Sequence, residues 1–307
     1  MLRGDYRPPV TTTPRATAST GFPEALAAYL IWGFLPLYLI LVEVVPPTEL
    51  VAWRIIWTLP LCLAIVIMRK QLRELGSALR DRRAMFVLAA SAALIAVNWL
   101  VYVWAIQNGH VLAASLGYYI NPLVNVLLGT LILGERLKTR QWIAIAIAAL
   151  GVAILLAGAL ATLWISLVLA FSFGTYGLLR KQVSVGSLPG LTIEAALLLI
   201  PAAATAWWFA RTPAGSSFGT DWSLSLLIVF GGVVTAVPLL LFAMAARKMD
   251  SSTLGMIQFL APTIVFLLGL FVFGEPLKPV QLASFVLIWT AIAIFVQHLL
   301  TQRRSET

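Results

Sequence analysis

The chain has 307 residues, of which 61% are hydrophobic and 11% charged. A soluble domain carries about 25% charged residues, so this chain cannot cover itself with a water-facing surface and takes lipid as its solvent. Its net charge of +9 does not indicate a nucleic-acid partner, because the basic residues follow membrane topology, and its one cysteine, Cys62, excludes an intrachain disulfide and a cysteine-based metal site.

Residues 1–23 are rich in Pro, Thr and Ala with scattered Arg and read as a disordered tail. The tail lacks a short apolar core with a small-residue cleavage site, so the first apolar segment is expected to stay in place as a span. Hydropathy then predicts ten membrane helices, at roughly 24–43, 48–68, 84–107, 111–133, 141–159, 162–180, 190–210, 222–246, 252–273 and 279–300. A short tail, 303–307, follows. Each run is continuously apolar rather than alternating, which excludes membrane-spanning strands. The expected fold is an all-α integral membrane protein.

The positive charges orient these spans. Eighteen of the 21 Lys and Arg residues fall in the first tail, the last tail and the connections after spans two, four, six and eight. The alternate connections hold only Arg211 and Lys278, and Arg54 lies within a span. This bias predicts that both termini are cytoplasmic.

A repeat organises the chain. Asn121-Pro122, Gly129, Gly134-Glu135, Leu137-Lys138 and Gln141 return 140 residues later as Ala261-Pro262, Gly269, Gly274-Glu275, Leu277-Lys278 and Gln281. Two copies of one five-helix unit, 24–160 and 161–302, follow from that spacing. Five is an odd number, so the second copy enters the membrane upside down. An inverted-topology repeat of this kind points to a transporter.

Candidate site residues are the polar groups inside spans. Arg54 lies roughly 9 Å below a membrane boundary at 1.5 Å per residue. A guanidinium at that depth costs about 2.5–3.5 kcal/mol or more, so it faces a cavity or a partner. Recognition of a substrate anion, snorkelling to headgroups and a structural pair are all compatible with it. Glu194 stands 140 residues after Arg54, at the repeat offset, and is the candidate proton carrier, with a structural carboxylate as the alternative. Asn98, Trp99, Tyr102, Trp104, Tyr118, Tyr119, Asn121 and Asn125 cluster in spans three and four. Gln258 precedes Pro262 in span nine, and Trp32, Pro36 and Tyr38 interrupt span one. Pro122 and Pro262 each remove a helical hydrogen bond and are expected to break their helices where freed backbone lines a cavity. Interhelical hydrogen bonding and headgroup anchoring account better for any single one of these residues, while their clustering around two prolines favours a cavity. The small residues Ala89, Ala93 and Ala96, and Gly232 with Ala236, predict close helix packing. No phosphate-cradling loop, zinc-protease helix or nucleophile elbow is present, so no enzymatic activity, cofactor or metal is expected.

Several of these stretches are similar to a known family. Ala27 to Gly33 in the first span, Asn98-Trp99, the run from Ala114 to Asn125, Gly134-Glu135 and Ser252-Thr253-Leu254-Gly255 resemble RarD-type members of the EamA branch of the drug/metabolite transporter superfamily. The similarity covers about residues 24–302. RarD-like sequences often carry His before the arginine of the second span, where this chain has Trp53, and Tyr after the glutamine of the ninth, where it has Phe259. The resemblance implies two inverted five-helix repeats in the bacterial inner membrane, with the last helix of each repeat peripheral. It implies export or exchange of a small metabolite or drug-like molecule by alternating access. On that reading Arg54 anchors an anionic substrate group, and Trp32, Tyr38, Asn98, Tyr118, Asn121, Asn125 and Gln258 line the site. A membrane sensor or scaffold without net transport is the alternative. The partners expected are a small-molecule substrate and the lipid bilayer, and no residue pattern sets an oligomeric state.

Overall fold

The computed structural model describes residues 21–108, 110–156, 163–272, 274 and 279–305, and only the backbone at 106–107, 111–115 and 298–305. Most of the predicted first tail, the junction of the two expected units at 160/161, the second Gly-Glu turn from Glu275 to Lys278 and the last two residues lie outside the described residues.

Every described element is a helix: α1 (Phe22–Leu41), α2 (Pro47–Met68), α3 (Leu72–Arg80), α4 (Arg82–Gln107), α5 (Val111–Leu131), α6 (Thr139–Leu156), α7 (Leu163–Gln182), α8 (Ser187–Arg211), α9 (Trp222–Lys248), α10 (Ser251–Gln258), α11 (Leu260–Phe271) and α12 (Pro279–Ser305). Among the described residues, nine helical stretches are long and apolar enough to cross a membrane, α10 with α11 counting as one. The described apolar part of α5, Leu116–Leu131, is shorter. Phe86, Ile200 and Phe271 are more than three-quarters exposed, which water would penalise and lipid tails accept.

Local signals set several helix ends. Pro47 and Pro279 open α2 and α12, where the missing amide proton has no helical acceptor to lose. Asp221 caps α9 by accepting the Leu224 amide at 2.8 Å. Three features depart from the hydropathy reading. The basic connection after α2 contains the short helix α3, whose Ala78 is buried while Leu72 and Leu79 stay exposed. The ninth span breaks at Phe259, between α10 and α11, three residues before Pro262. Pro122 makes no break, because α5 runs through it, as α1, α2, α8 and α9 run through Pro36, Pro60, Pro201 and Pro238. One absent hydrogen bond is tolerated where neighbouring helices hold the segment straight.

Packing joins the N-terminal and C-terminal halves throughout. α5 packs on α7, and α1 on α10 and α11; α4 packs on α7, and α1 on α9; α2 packs on α9, and α4 on α8. α2 also meets α8, and α6 meets α12 at one side of the bundle. A Cβ at Gly232 would lie 2.7 Å from the Trp57 backbone, so α2 and α9 meet there backbone to backbone. The expected stripe on the third span is corrected: Ala89 and Ala93 are exposed, and α4 buries Leu88, Ser91, Ala92 and Ile95 instead. The neighbours α7 and α8 sit on that other face.

Candidate functional site

A cavity of about 380 Å³ lies between the halves. α1, α2, α4 and α5 supply one wall, and α7, α9, α10 and α11 the other. It reaches the α1–α2 turn, where exposed Glu43 stands on its rim. Neither α6 nor α12 lines it, in keeping with their place at the side of the bundle.

Arg54 of α2 lines this cavity. Its Nε donates to Thr235 Oγ1 at 2.7 Å, and that hydroxyl donates onward to the Gly231 carbonyl at 2.8 Å. The hydroxyl lone pair is thereby aimed at the guanidinium and fixes its plane. Gly231 makes room for the arginine stem: a Cβ there would sit 2.6 Å from the Tyr38 hydroxyl and 2.9 Å from Arg54 Cγ. Tyr38, Tyr102 and Tyr118 are near enough to interact with the charge. Among the described residues no carboxylate pairs with Arg54, and its two terminal nitrogens donate no hydrogen bond to the protein.

Four further expected residues share the cavity wall: Trp32, Asn98, Tyr118 and Gln258. Trp32 packs edge-on against Phe173 at 5.6 Å. Asn98 is tethered to α7, with its amide nitrogen 2.9 Å from both the Leu169 carbonyl and Ser172 Oγ. Gln258 lines the cavity, and its Oε1 accepts from Asn125 Nδ2 at 2.7 Å, a bond that joins the two halves. Pro262 lines the wall too, and its carbonyl accepts a long 3.5 Å bond from the Tyr119 hydroxyl.

Three expected residues do not line it. Tyr38 turns toward α9 and donates to the Leu227 carbonyl at 3.1 Å. Asn121 and Asn125 are buried in the α5 packing face, Asn121 with its carbonyl oxygen unpartnered. One helical turn puts them on one face, as expected, but that face meets neighbouring helices rather than the cavity. Thr235, Tyr29 and Phe173 line the wall and were not anticipated. Thr235 had a readable signal, being the lone hydroxyl between Ser225 and Ser251.

Glu194 sits elsewhere. Buried on α8, it accepts from the Ser91 hydroxyl of α4 and, at 3.4 Å, from the Tyr176 hydroxyl of α7. Its ionic partner is Arg180, with Nη1 at 3.6 Å. Arg180 is fully buried in the last turn of α7 and donates through Nη2 to the Ser187 carbonyl at 2.8 Å. The charge count places Arg180 in a connection; the structure corrects this, since the helix continues two residues past the predicted end and draws the side chain inward. A small cavity of about 20 Å³, room for roughly one water, is lined by Glu194, Tyr176, Thr58 and Thr235. Thr235 therefore touches both cavities.

Two other carboxylates tie connections to helices. Glu135, in the first Gly-Glu turn, accepts from the Ser251 amide at 2.6 Å, the Ser252 amide at 3.0 Å, Ser252 Oγ at 2.7 Å and Lys181 Nζ at 3.1 Å. It thus caps α10 from the opposite half. Burial opposes its ionisation, but the bonds from Ser252, Ser251 and Lys181 outweigh that and hold the carboxyl below the usual carboxylate range. Glu49, fully buried at the start of α2, accepts from Ser216 Oγ at 2.6 Å and from the Ser217 amide and hydroxyl at 2.9 Å.

The profile of the EamA-like transporter family matches residues 20–157 and, a second time, residues 160–297. A Pseudomonas aeruginosa protein described as an uncharacterized transporter is 44% identical over 282 residues, covering 91% of this chain and 94% of that protein. Protein RarD of Salmonella typhimurium is 42% identical over 289 residues, covering 92% of this chain and 96% of that protein. A solved crystal structure, 20% identical in sequence, superposes with a TM-score of 0.70 over 91% of this chain and 97% of that one, and speaks for the fold alone. The RarD-type resemblance seen in the motifs thus extends over nine-tenths of the sequence. With two profile matches and relatives of this similarity, the chain belongs to the EamA-like transporter family.

Proposed function

We propose that the protein is a secondary active transporter that exports or exchanges a small metabolite or drug-like molecule across the bacterial inner membrane by alternating access. The observation that carries this is the unpaired guanidinium of Arg54 in a cavity walled by both halves of the chain. A charge inside a membrane protein without a counter-ion is costly, and an anionic group of a substrate would supply the missing partner. Trp32, Asn98, Tyr118 and Gln258 would surround that substrate, and rocking of one half against the other would expose it to each side in turn.

The architecture of this reading is ten spans, with α5 as the tenth, arranged as two inverted five-helix repeats. Two profile matches of similar length support it. So does the packing. Exchanging the first helix of each half, then the second, and so on, converts the α5–α7 packing into that of α1 with α10 and α11. The same exchange converts α4–α7 into α1–α9 and α2–α9 into α4–α8. The distribution of basic residues supports cytoplasmic termini. The cavity then reaches toward the outer side through the α1–α2 turn.

For Glu194 the geometry favours a structural role over proton carriage. A proton on its carboxyl would leave buried Arg180 without a counter-charge, at a cost of several kcal/mol.

The test is flux in proteoliposomes. Arg54→Ala is expected to abolish uptake of a bound ligand while the purified protein keeps its melting behaviour. Normal flux in that variant would remove the anchoring role. Arg54-dependent binding by the native protein with no flux under any gradient would mark a membrane sensor or scaffold instead.

A further inference from the structure

We infer that the cavity selects an aromatic organic monoanion that carries no amino group, such as an aryl-substituted carboxylate. The inference rests on the reading of this cavity as the substrate site and adds the chemistry of the molecule it takes.

Three observations lead there. The first is the state of Arg54. Thr235 occupies Nε and sets the plane of the guanidinium, Arg54 lines the cavity, and among the described residues neither terminal nitrogen donates to a protein acceptor. Two parallel N–H donors on a fixed planar fork match the two oxygens of one carboxylate. Lys would offer a point charge and no such fork.

The second is the wall. Trp32, Trp99, Tyr102, Tyr118, Tyr119 and Phe173 all line a volume of about 380 Å³. That lies at the small end of ligand pockets, roughly 300–1,000 Å³, and suits a one- or two-ring compound. Tyr102 and Tyr118 meet edge-on at 5.9 Å, and Trp32 meets Phe173 at 5.6 Å in the same way. Ring edges and faces are therefore both presented to a guest, as aromatic pairing requires.

The third is what the wall does not offer. Around Arg54 the wall offers the guanidinium and the Gln258 amide, whose oxygen is taken by Asn125, as donors, while the phenols and the carbonyl oxygen of Asn98, whose nitrogen is tied to α7, accept only as neutral groups. Among the described residues Glu43 is the only acidic one on the wall, and it stands at the rim. Arg54 is seven residues into α2, so the rim lies roughly 10 Å away at 1.5 Å per residue. An α-amino acid holds its ammonium next to its carboxylate. With the carboxylate on Arg54, that ammonium would sit near a like charge and far beyond reach of Glu43. Aromatic faces return only about 0.5–2 kcal/mol to such a cation, less than the several kcal/mol lost on desolvating it. Removing the amine removes the conflict and keeps the carboxylate on Arg54.

The experiment compares three ligands that share one ring system. Indole-3-propionate has the carboxylate alone, tryptophan adds the ammonium, and tryptamine has the ammonium alone. Each is titrated by calorimetry and by thermal shift into the full-length protein in nanodiscs, native and Arg54→Gln. Indole-3-propionate is expected to bind tighter than tryptophan by about tenfold or more, tryptamine not to bind, and Arg54→Gln to erase the preference. Tryptophan binding as tightly as indole-3-propionate would overturn the amine-free class. So would Arg54-dependent binding of acetate or succinate at equal strength, which would show an anion site without ring selection. Preference for indole-3-propionate that survives Arg54→Gln would overturn the anchoring of the anion. Selective binding that is followed by no proteoliposome flux would sink the transport reading and leave the ligand class standing.

Discussion

Two arginines of this membrane protein are held in opposite ways. Arg180 is fully buried against Glu194 in a knot with Ser91, Tyr176 and the Ser187 carbonyl. Arg54 lines a cavity, with one nitrogen on Thr235 and, among the described residues, no carboxylate paired with it. Both carry the same charge inside the same bundle. A charge that the protein itself neutralises contributes to the fold, and a charge left open to a cavity is available to something that arrives from outside.

Substitutions can break this contrast or sharpen it. The largest effect is expected at Arg54: Arg54→Gln should cut proteoliposome flux by about a hundredfold or more, as loss of a desolvated charge pair costing roughly 2–5 kcal/mol would, while its melting temperature stays near that of the native protein. A variant that instead unfolds would erase the distinction between the two arginines. Next comes Arg180→Met, which strands Glu194 as an unpaired buried charge and should cost about 3–5 kcal/mol of stability. Thermal melts in detergent measure that loss. Adding Glu194→Leu should restore most of it, because a well-packed apolar pair often replaces a buried ion pair without penalty. A double variant as unstable as the single one would show that the pair is not what Arg180 serves.

Glu135 lies between the two cases, with a paired charge at a helix end outside the spans. Glu135→Gln should cost about 1.5–3 kcal/mol, since it weakens hydrogen bonds made by a charged group. Its folded carboxyl ionises below the usual range, so its stabilisation is complete above the ordinary carboxylate value and fades as pH falls through the lowered one. The gap in melting temperature between native and variant should therefore narrow from pH 7 into acid, and a gap that widens would contradict the capping role. The smallest effect belongs to Thr235. Thr235→Val frees the Arg54 plane and should weaken ligand binding by about fivefold, with Thr235→Ser restoring it; equal binding by all three would show that Thr235 does not position Arg54.

Most of the helix positions could be read from the chain because continuous hydropathy is a local property. The cost of an unsatisfied backbone in lipid leaves such a run little choice but helix. The departures come where local signals compete. Pro262 suggested a break that the chain makes at Phe259 instead, while Pro122, identical in pattern, leaves α5 unbroken. α3 is short and polar enough to escape a hydropathy window, yet its Leu75 and Ala78 pack on α4 and α8 neighbours.

The candidate site divides in the same way. That Arg54 matters was legible, because one guanidinium in a long apolar run has few physical excuses. That Tyr38 faces α9 and Asn121 faces packed helices was not, because the sequence fixes the angle between residues on one helix but not which face meets the cavity.

An all-helical chain solvated by lipid, an internal repeat and one exceptional intramembrane cation can be read from the residues alone. These rest on composition and spacing, which act residue by residue. That Glu194 answers Arg180 rather than Arg54, that Thr235 orients the exceptional cation and that aromatic rings gather around it emerge only from the packed helices. Those pairings join residues from 14 to 181 positions apart, and only the packing of helices against one another brings them within bonding distance.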